Sequence, residues 1–167
     1  PQFFSPWTFA LNSVTRTLRV GLDEPGMERA RHGAEVPVRI DRDGPATSLF
    51  VDLRLPSGSV ASAEVDTGSD AMILHSRYLE ELGVNPDRID VQKKEGTDET
   101  DHRYVRYFTR VHGRVSLAGA PKIFQTDPEV MFQEIIYDGL VGDAFLRTFD
   151  VTYDLARSRM IFADPSV

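Results

Sequence analysis

Val60-Ala61-Ser62-Ala63-Glu64-Val65-Asp66-Thr67-Gly68-Ser69-Asp70-Ala71-Met72-Ile73-Leu74 sets an acidic, glycine-containing turn between two apolar-patterned runs. Val60–Val65 alternates apolar with small or charged residues, as a half-buried strand does, and Ala71–Leu74 is a second apolar run. Between them a carboxylate sits on a tight turn that contains glycine. Upstream, Ser48–Leu55 alternates so that Leu49, Val51, Leu53 and Leu55 share one face. Pro56-Ser57-Gly58 then turns the chain into Val60–Val65. Asp66 is thereby presented at the end of a hairpin, on a loop with strands on both sides.

Working outward, turn signals recur roughly every ten residues and long helical patterns are scarce, which predicts an all-β domain. Glu35–Ile40 reads as a short strand ended by Asp43-Gly44-Pro45. Ser76–Leu82 reads as one or two helical turns, with Ser76 as N-cap and Gly83 as the stop. The polar stretch 92–102 lies between strand-like runs at Arg88–Val91 and Tyr104–Val111, so a hairpin with a solvated tip is expected. Arg114–Leu117 and Lys122–Phe124 are further strands. A short helix is expected over Asp143–Thr148, with Asp143 favouring its dipole. Asp150–Tyr153 and Arg159–Ala163 close the chain as a hairpin.

The chain has 167 residues, enough for one domain with a real core. It is 41% hydrophobic and 27% charged, with a net charge of −7. That balance argues against a nucleic acid or an anionic membrane as main partner. Arg103, Arg106, Arg110 and Arg114 are too dispersed among acidic residues to form a nucleic-acid face. No run is long and apolar enough to span a bilayer. The absence of cysteine excludes disulfides, thiol catalysis and cysteine-ligated metal. His32, His75, His102 and His112 show no ligand spacing, so no metal is expected. The chain begins at Pro1, which reads as a segment already removed, and export or a periplasmic location is slightly favoured over the cytoplasm.

One internal similarity stands out. Laid over Asp143–Phe162, the segment Pro1–Val20 matches in apolar positions. Phe3 and Phe4 fall on Phe145 and Leu146, Trp7 on Phe149, Phe9 on Val151 and Leu11 on Tyr153. Asn12 falls on Asp154, Leu18 on Met160 and Val20 on Phe162. One reading is that the chain opens with the closing helix and hairpin of a preceding copy of the same domain. The other is an N-terminal hairpin that pads the core.

Val65-Asp66-Thr67-Gly68-Ser69-Asp70 resembles the active-site turn of the retropepsin-like aspartic proteases. Leu140-Val141-Gly142, some seventy residues on and just before a helix, resembles their second signature of two apolar residues and a glycine. The polar hairpin near Gly96–Thr100 sits where that family carries its flap. Order and spacing agree over residues 46–163, and Phe149–Asp154 with Met160–Phe162 resembles the bacterial members. The resemblance implies an all-β, retropepsin-like acid-protease barrel lobe with one or two short helices over residues 46–167. Residues 1–45 are then an N-terminal extension, a hairpin or the end of a preceding lobe. It implies an aspartic endopeptidase without cofactor, acting on a peptide or protein. Asp66 is the catalytic carboxylate. Thr67 would hydrogen-bond across to a facing turn, and Ser69 would donate to the outer oxygen of Asp66. Gly68 leaves room where backbone crowds the carboxylate. Asp70, with Gly96 and Thr97 of the flap, would meet substrate; Tyr104 and Tyr107 are further flap candidates, or cross-strand packing.

Peptide hydrolysis without metal or covalent intermediate needs a water made nucleophilic and a carbonyl made electrophilic, and two carboxylates sharing one proton do both, one as base and the other as acid. The chain has one Asp-Thr-Gly. Asp23, Asp41 and Asp138 lack its setting. A two-fold-related copy supplying Asp66′ is the leading expectation, hence a homodimer. The competitor is an upstream lobe of one longer polypeptide. Retroviral members follow the second-signature glycine with arginine and then aspartate or asparagine, where this chain has Asp143 and Ala144. Arg147, one turn along the helix, is left as the partner for Asp70. The alternative function is a silent peptide-binding or dimerisation module that keeps the fold.

Overall fold

The computed structural model describes residues 7–21, 30–97 and 100–165. Phe3, Phe4, Asp23, Asp98 and Glu99, used in the sequence reading, lie outside them. The strands are β1 Phe9–Asn12, β2 Thr17–Val20, β3 Ala34–Pro37, β4 Arg39–Asp43, β5 Ala46–Arg54, β6 Val60–Val65, β7 Met72–His75 and β8 Gln92–Thr97. They continue as β9 Arg103–Arg110, β10 Arg114–Leu117, β11 Ala120–Thr126, β12 Glu129–Gln133, β13 Gly139–Val141, β14 Asp150–Asp154 and β15 Arg159–Ala163. Short helices occupy Tyr78–Glu81 and Asp143–Leu146. The expected all-β fold is observed. No helix among the described residues is long and apolar enough to cross a membrane.

Two sheets enclose one core. The larger runs β11-β10-β5-β6-β13-β7-β12-β9-β8, with β4 joined to β5; the smaller runs β2-β1-β14-β15-β3. β5 behaves as its alternation predicts. Leu49, Val51 and Leu53 enter the core with Leu55, while Asp52 and Arg54 face water. Phe50, on the other face, is also buried, under the Arg39 guanidinium 4.0 Å from its ring centroid and against the edge of Tyr137. The fully buried centre includes Leu53, Leu74, Leu117, Phe132 and Phe145, and each such side chain contributes about 1.5–3 kcal/mol through removal from water. The extended Glu35–Ile40 run is divided at Val38: β3 pairs with β15, and β4 pairs with β5.

Two local expectations are corrected, and one strand was not anticipated. Arg88–Val91 is not a strand. Asn85 Oδ1 accepts the Asp87 N–H at 3.0 Å, and Arg88 and Val91 donate backward to Asn85 and Arg88 carbonyls. These local bonds satisfy the backbone without a ladder. The first strand of the polar hairpin is instead β8 itself, paired along its length with β9 from Gln92↔Phe108 to Thr97↔Arg103. Ser76 does not cap the short helix through its side chain; the helix starts after Arg77, and Ser76 contributes its carbonyl to the Leu79 N–H. Gly83 does end that helix, at φ +68 where a side chain would be strained. Sequence reading assigned no element to Glu129–Gln133. It forms β12, parallel to β7 and antiparallel to β9, with Val130 and Phe132 in the core.

The closing hairpin carries a buried carboxylate. Asp154 is driven up by burial, but bonds from Arg157 (3.0 Å) and Arg159 (2.9 Å) outweigh this and hold it below the ordinary aspartate range. A depressed folded-state value contributes stability above the unfolded value that is lost as pH falls through the folded one. Asp154→Asn should therefore cost about 1–3 kcal/mol at pH 6. In thermal melts across pH, the gap from wild type should close below about pH 4. A gap that widens in acid would contradict the pairing.

Candidate active site

The two signature segments meet because their strands are parallel neighbours. β6 and β13 run side by side in the register Gly139↔Ala63, Leu140↔Glu64, Val141↔Val65. Each strand ends at the same level, so Asp66 and Gly142 emerge together despite their separation in sequence. The Asp66 N–H donates to the Val141 carbonyl at 3.0 Å. Beyond Gly142, the first N–H groups of the following helix reach back to the turn. Asp143 donates to Ser69 O at 2.6 Å, and Ala144 to Asp70 O at 2.9 Å. The helix start thus spends orphan donors on holding the aspartate loop.

Within the loop, the Gly68 N–H donates to Asp66 Oδ1 at 2.8 Å, and Ser69 N–H to the Asp66 carbonyl at 3.3 Å. Asp66 is half-buried, with Thr67 and Gly68 exposed beside it. A Cβ on Gly68 would stand 3.1 Å from Asp66 Oδ1, a tight contact with a side-chain atom. A Cβ on Gly142 would stand 2.4 Å from the Ala71 carbonyl oxygen and 2.6 Å from that of Ser69. Gly142 is therefore the tighter of the two. Its place in an apolar-apolar-glycine triplet is visible in the sequence, whereas this contact arises between segments remote in sequence and is not. The Ser69 hydroxyl donates to the Ala71 carbonyl at 3.3 Å rather than to the Asp66 carboxylate, so it bridges the turn within its own loop.

Asp70 is exposed and faces Arg147 at 3.7 Å, with Asp143 3.9 Å from the same guanidinium. The arginine position anticipated from helical spacing is thus filled. Both partners are open to water, and such pairs contribute little. Arg147→Ala should lower the unfolding free energy from urea titration by less than about 1 kcal/mol with unchanged slope; a larger loss would show that the pair carries structure.

Asp138 does not join Asp66. Its carboxylate accepts the Ser62 N–H at 3.1 Å and pairs with Arg77, and its carbonyl accepts His75 N–H. It is a strap between β6, β7 and the helix that follows. The flap candidates lie on the β8–β9 hairpin, where Gly96 faces Tyr104. The Tyr104 ring lies over Gly96, with its hydroxyl 2.5 Å from where a Cβ would be, and Arg106 stacks on that ring at 4.2 Å. Gly96 therefore makes room for an aromatic neighbour. A cavity of about 390 Å³ at the base of the hairpin is lined by Ala71, Gln92, Phe108, Val130 and Met131 among others. Among the described residues, no group of three or more His, Asp or Glu side chains is placed to hold a metal.

Solved structures of other proteins share this architecture. A retropepsin-like aspartic protease from Rickettsia conorii matches 77% of this chain and 87% of its own, at a TM-score of 0.52 and 14% identity. The fold is retropepsin-like. Soybean basic 7S globulin matches at a TM-score of 0.52 and 15% identity; the alignment takes in 94% of this chain and 49% of that one, about half its length. The retroviral protease-like domain of Ddi1 from Leishmania major matches at 0.47 and 21% identity, over 70% of this chain and 93% of its own. No family model matches the chain, and no curated protein sequence does.

Proposed function

We propose that the protein is an aspartic endopeptidase and that Asp66 is one of two carboxylates that act on a bound water. The observation that carries this reading is the aspartate loop: Asp66 at a strand end, its Oδ1 held by Gly68 N–H, and the loop clamped from behind by Gly142 and the Asp143 and Ala144 N–H groups. That is the rigid support a reacting carboxylate needs. In the reaction, the ionised carboxylate takes a proton from water as the water attacks the peptide carbonyl. The protonated carboxylate donates to the carbonyl oxygen. Collapse of the tetrahedral intermediate returns the oxygen's electrons to the carbonyl, and the amine leaves with a proton from the dyad. Thr67, Gly68 and Ser69 hold the loop, while Asp70 and the hairpin residues Gly96 and Thr97 flank the substrate.

The second carboxylate comes from a body related to this lobe by a two-fold axis. A homodimer partner supplying its own Asp66 was the leading expectation from sequence, and another lobe of the same polypeptide is the competing source. The experiment is cleavage of an unbiased peptide pool between pH 4 and 7, read by mass spectrometry, with and without a statine-type transition-state peptide. Cleavage that the analogue suppresses supports the reading. No cleavage by the natural protein at any of these pH values sinks it and leaves a binding module with this fold.

A further inference from the structure

Two hairpins at opposite ends of the chain are built alike. β1–β2 pairs Phe9 with Val20 and Leu11 with Leu18; β14–β15 pairs Val151 with Phe162 and Tyr153 with Met160. These are the residues that the internal similarity had placed on one another. The connecting turns also correspond. In each, the first residue's side chain accepts from the residue three positions on, Asn12 Oδ1 from the Thr15 backbone N–H and Asp154 Oδ2 from the Arg157 guanidinium, so the likeness is one of position and not of bond type. Each turn ends on a non-glycine residue in the left-handed region, Arg16 at φ 54 and Ser158 at φ 49. Such residues are uncommon, and two at matching positions point to one design used twice.

The hairpins are also related in space. β1 and β14 pair antiparallel as Phe9↔Tyr153, Ala10↔Thr152 and Leu11↔Val151. Exchanging each residue for its counterpart turns the first pair into the third and leaves the middle pair unchanged. A local two-fold axis therefore passes between Ala10 and Thr152. Both edges of β14 are filled, one by β15 and the other by β1. A second copy cannot bring its own β14 to that axis unless β1 is displaced.

The symmetry stops at one point. Met160 and Phe162 are 0% and 2% exposed inside the lobe, whereas their counterparts Leu18 and Val20 are 49% and 43% exposed. β15 carries β3 on its outer edge; β2, its counterpart, ends the sheet among the described residues. A cavity of about 390 Å³ opens beside this bare hairpin, and Leu11, Leu18, Thr67 and Tyr153 line it. Tyr153 is buried, and its hydroxyl has no hydrogen-bond partner among the described residues. The uncovered surface thus adjoins the aspartate turn.

We propose that residues 7–20 are the closing hairpin of an upstream lobe of the same fold, that this lobe covers Leu18 and Val20 as the present one covers Met160 and Phe162, and that it supplies the carboxylate facing Asp66. The occupant is therefore a preceding part of the same polypeptide, which also adds a strand to β2 as β3 adds to β15. Only the assignment of the second carboxylate rests on the peptidase reading; the covering lobe does not.

Residues 1–167 contain no cysteine, and any cysteine elsewhere in the full chain is first replaced by serine. Leu18→Cys is placed in the full natural chain and in the 1–167 polypeptide, and the rate of maleimide labelling is measured over a range of protein concentrations. Val20→Cys serves as a second probe, and Val60→Cys, exposed on β6, as the reference. The expected result is labelling at positions 18 and 20 at least about tenfold slower in the full chain, independent of concentration, with position 60 unchanged. Equal labelling in both forms overturns the proposal, as does a natural chain with no second β lobe ahead of Trp7. Protection that appears only where sedimentation shows a dimer assigns the surface to a second copy and overturns it too. Labelling needs no activity, so protection without peptide cleavage would sink the peptidase reading and leave the lobe standing.

Discussion

Asp66→Asn should reduce peptide cleavage by about 10²–10⁴-fold, the usual contribution of a positioned acid–base group, without a measurable change in thermal midpoint. The two halves of this expectation have separate causes. An amide keeps an oxygen where Asp66 Oδ1 accepts the Gly68 N–H, so the loop retains its 2.8 Å internal bond. The Asp66 N–H also keeps its bond to Val141, because that bond belongs to the backbone. What the amide cannot do is take a proton from water, so the chemistry fails while the support stays. Asp66→Ala is the useful companion: it removes the same chemistry and also the acceptor for Gly68 N–H. It should add a small stability loss of about 0.5–1.5 kcal/mol. Retained cleavage in Asp66→Asn would place the chemistry elsewhere.

Gly142→Ala should have the largest structural effect of any single methyl group near the site. Its Cβ would meet two backbone oxygens, Ala71 O at 2.4 Å and Ser69 O at 2.6 Å, and neither can rotate away. Relief requires the aspartate loop to move off the helix start, which lengthens the Asp143-to-Ser69 and Ala144-to-Asp70 bonds. Overpacking of this kind costs about 1–3 kcal/mol. For a chain of this size that is a thermal midpoint lower by roughly 2–12 °C. Cleavage should fall with it, because the loop that moves is the one carrying Asp66. Gly68→Ala offers the contrast. The added methyl meets the Asp66 carboxylate oxygen at 3.1 Å, an atom that can rotate. Stability should change little while activity drops. Equal melting losses in the two variants would show that the Gly142 clamp is not the tighter one.

Features that were legible in the sequence are those encoded by neighbours along the chain. The alternation of β5 and β6 placed Asp66 at a strand end, and the core confirms Leu49, Val51, Leu53 and Leu55 on one face. The closing hairpin and the short helix at Asp143 were readable for the same reason. The features that were missed depend on distant partners. β12 has a five-residue alternating pattern that becomes a strand only because β7 and β9 flank it. Arg88–Val91 is rich enough in apolar residues to suggest a strand, but Asn85 and Asp90 capture its backbone and side chains locally. At the site, Asp66, Gly68 and the second signature could be found by pattern. The Gly142 clamp and the Ser69–Ala71 bond could not, because they follow from β6 and β13 running parallel.

The sequence similarity between the two ends of the chain was weak, resting on apolar positions with a single identity at Phe3 and Phe145. Matching register, matching left-handed turn residues and a shared two-fold axis give the described part of it a physical basis. They also shift attention from Asp66 itself to the body that must face it.

The most direct measurement of the central claim is calorimetric binding of a statine-type peptide to the full natural protein, wild type against Asp66→Asn. Such an analogue occupies the position of the tetrahedral intermediate and is held more tightly than substrate when both carboxylates are in place. Saturable binding to wild type is expected, weakened by about a hundredfold or more in Asp66→Asn. Equal affinity in the two proteins, or no binding to wild type, would contradict it.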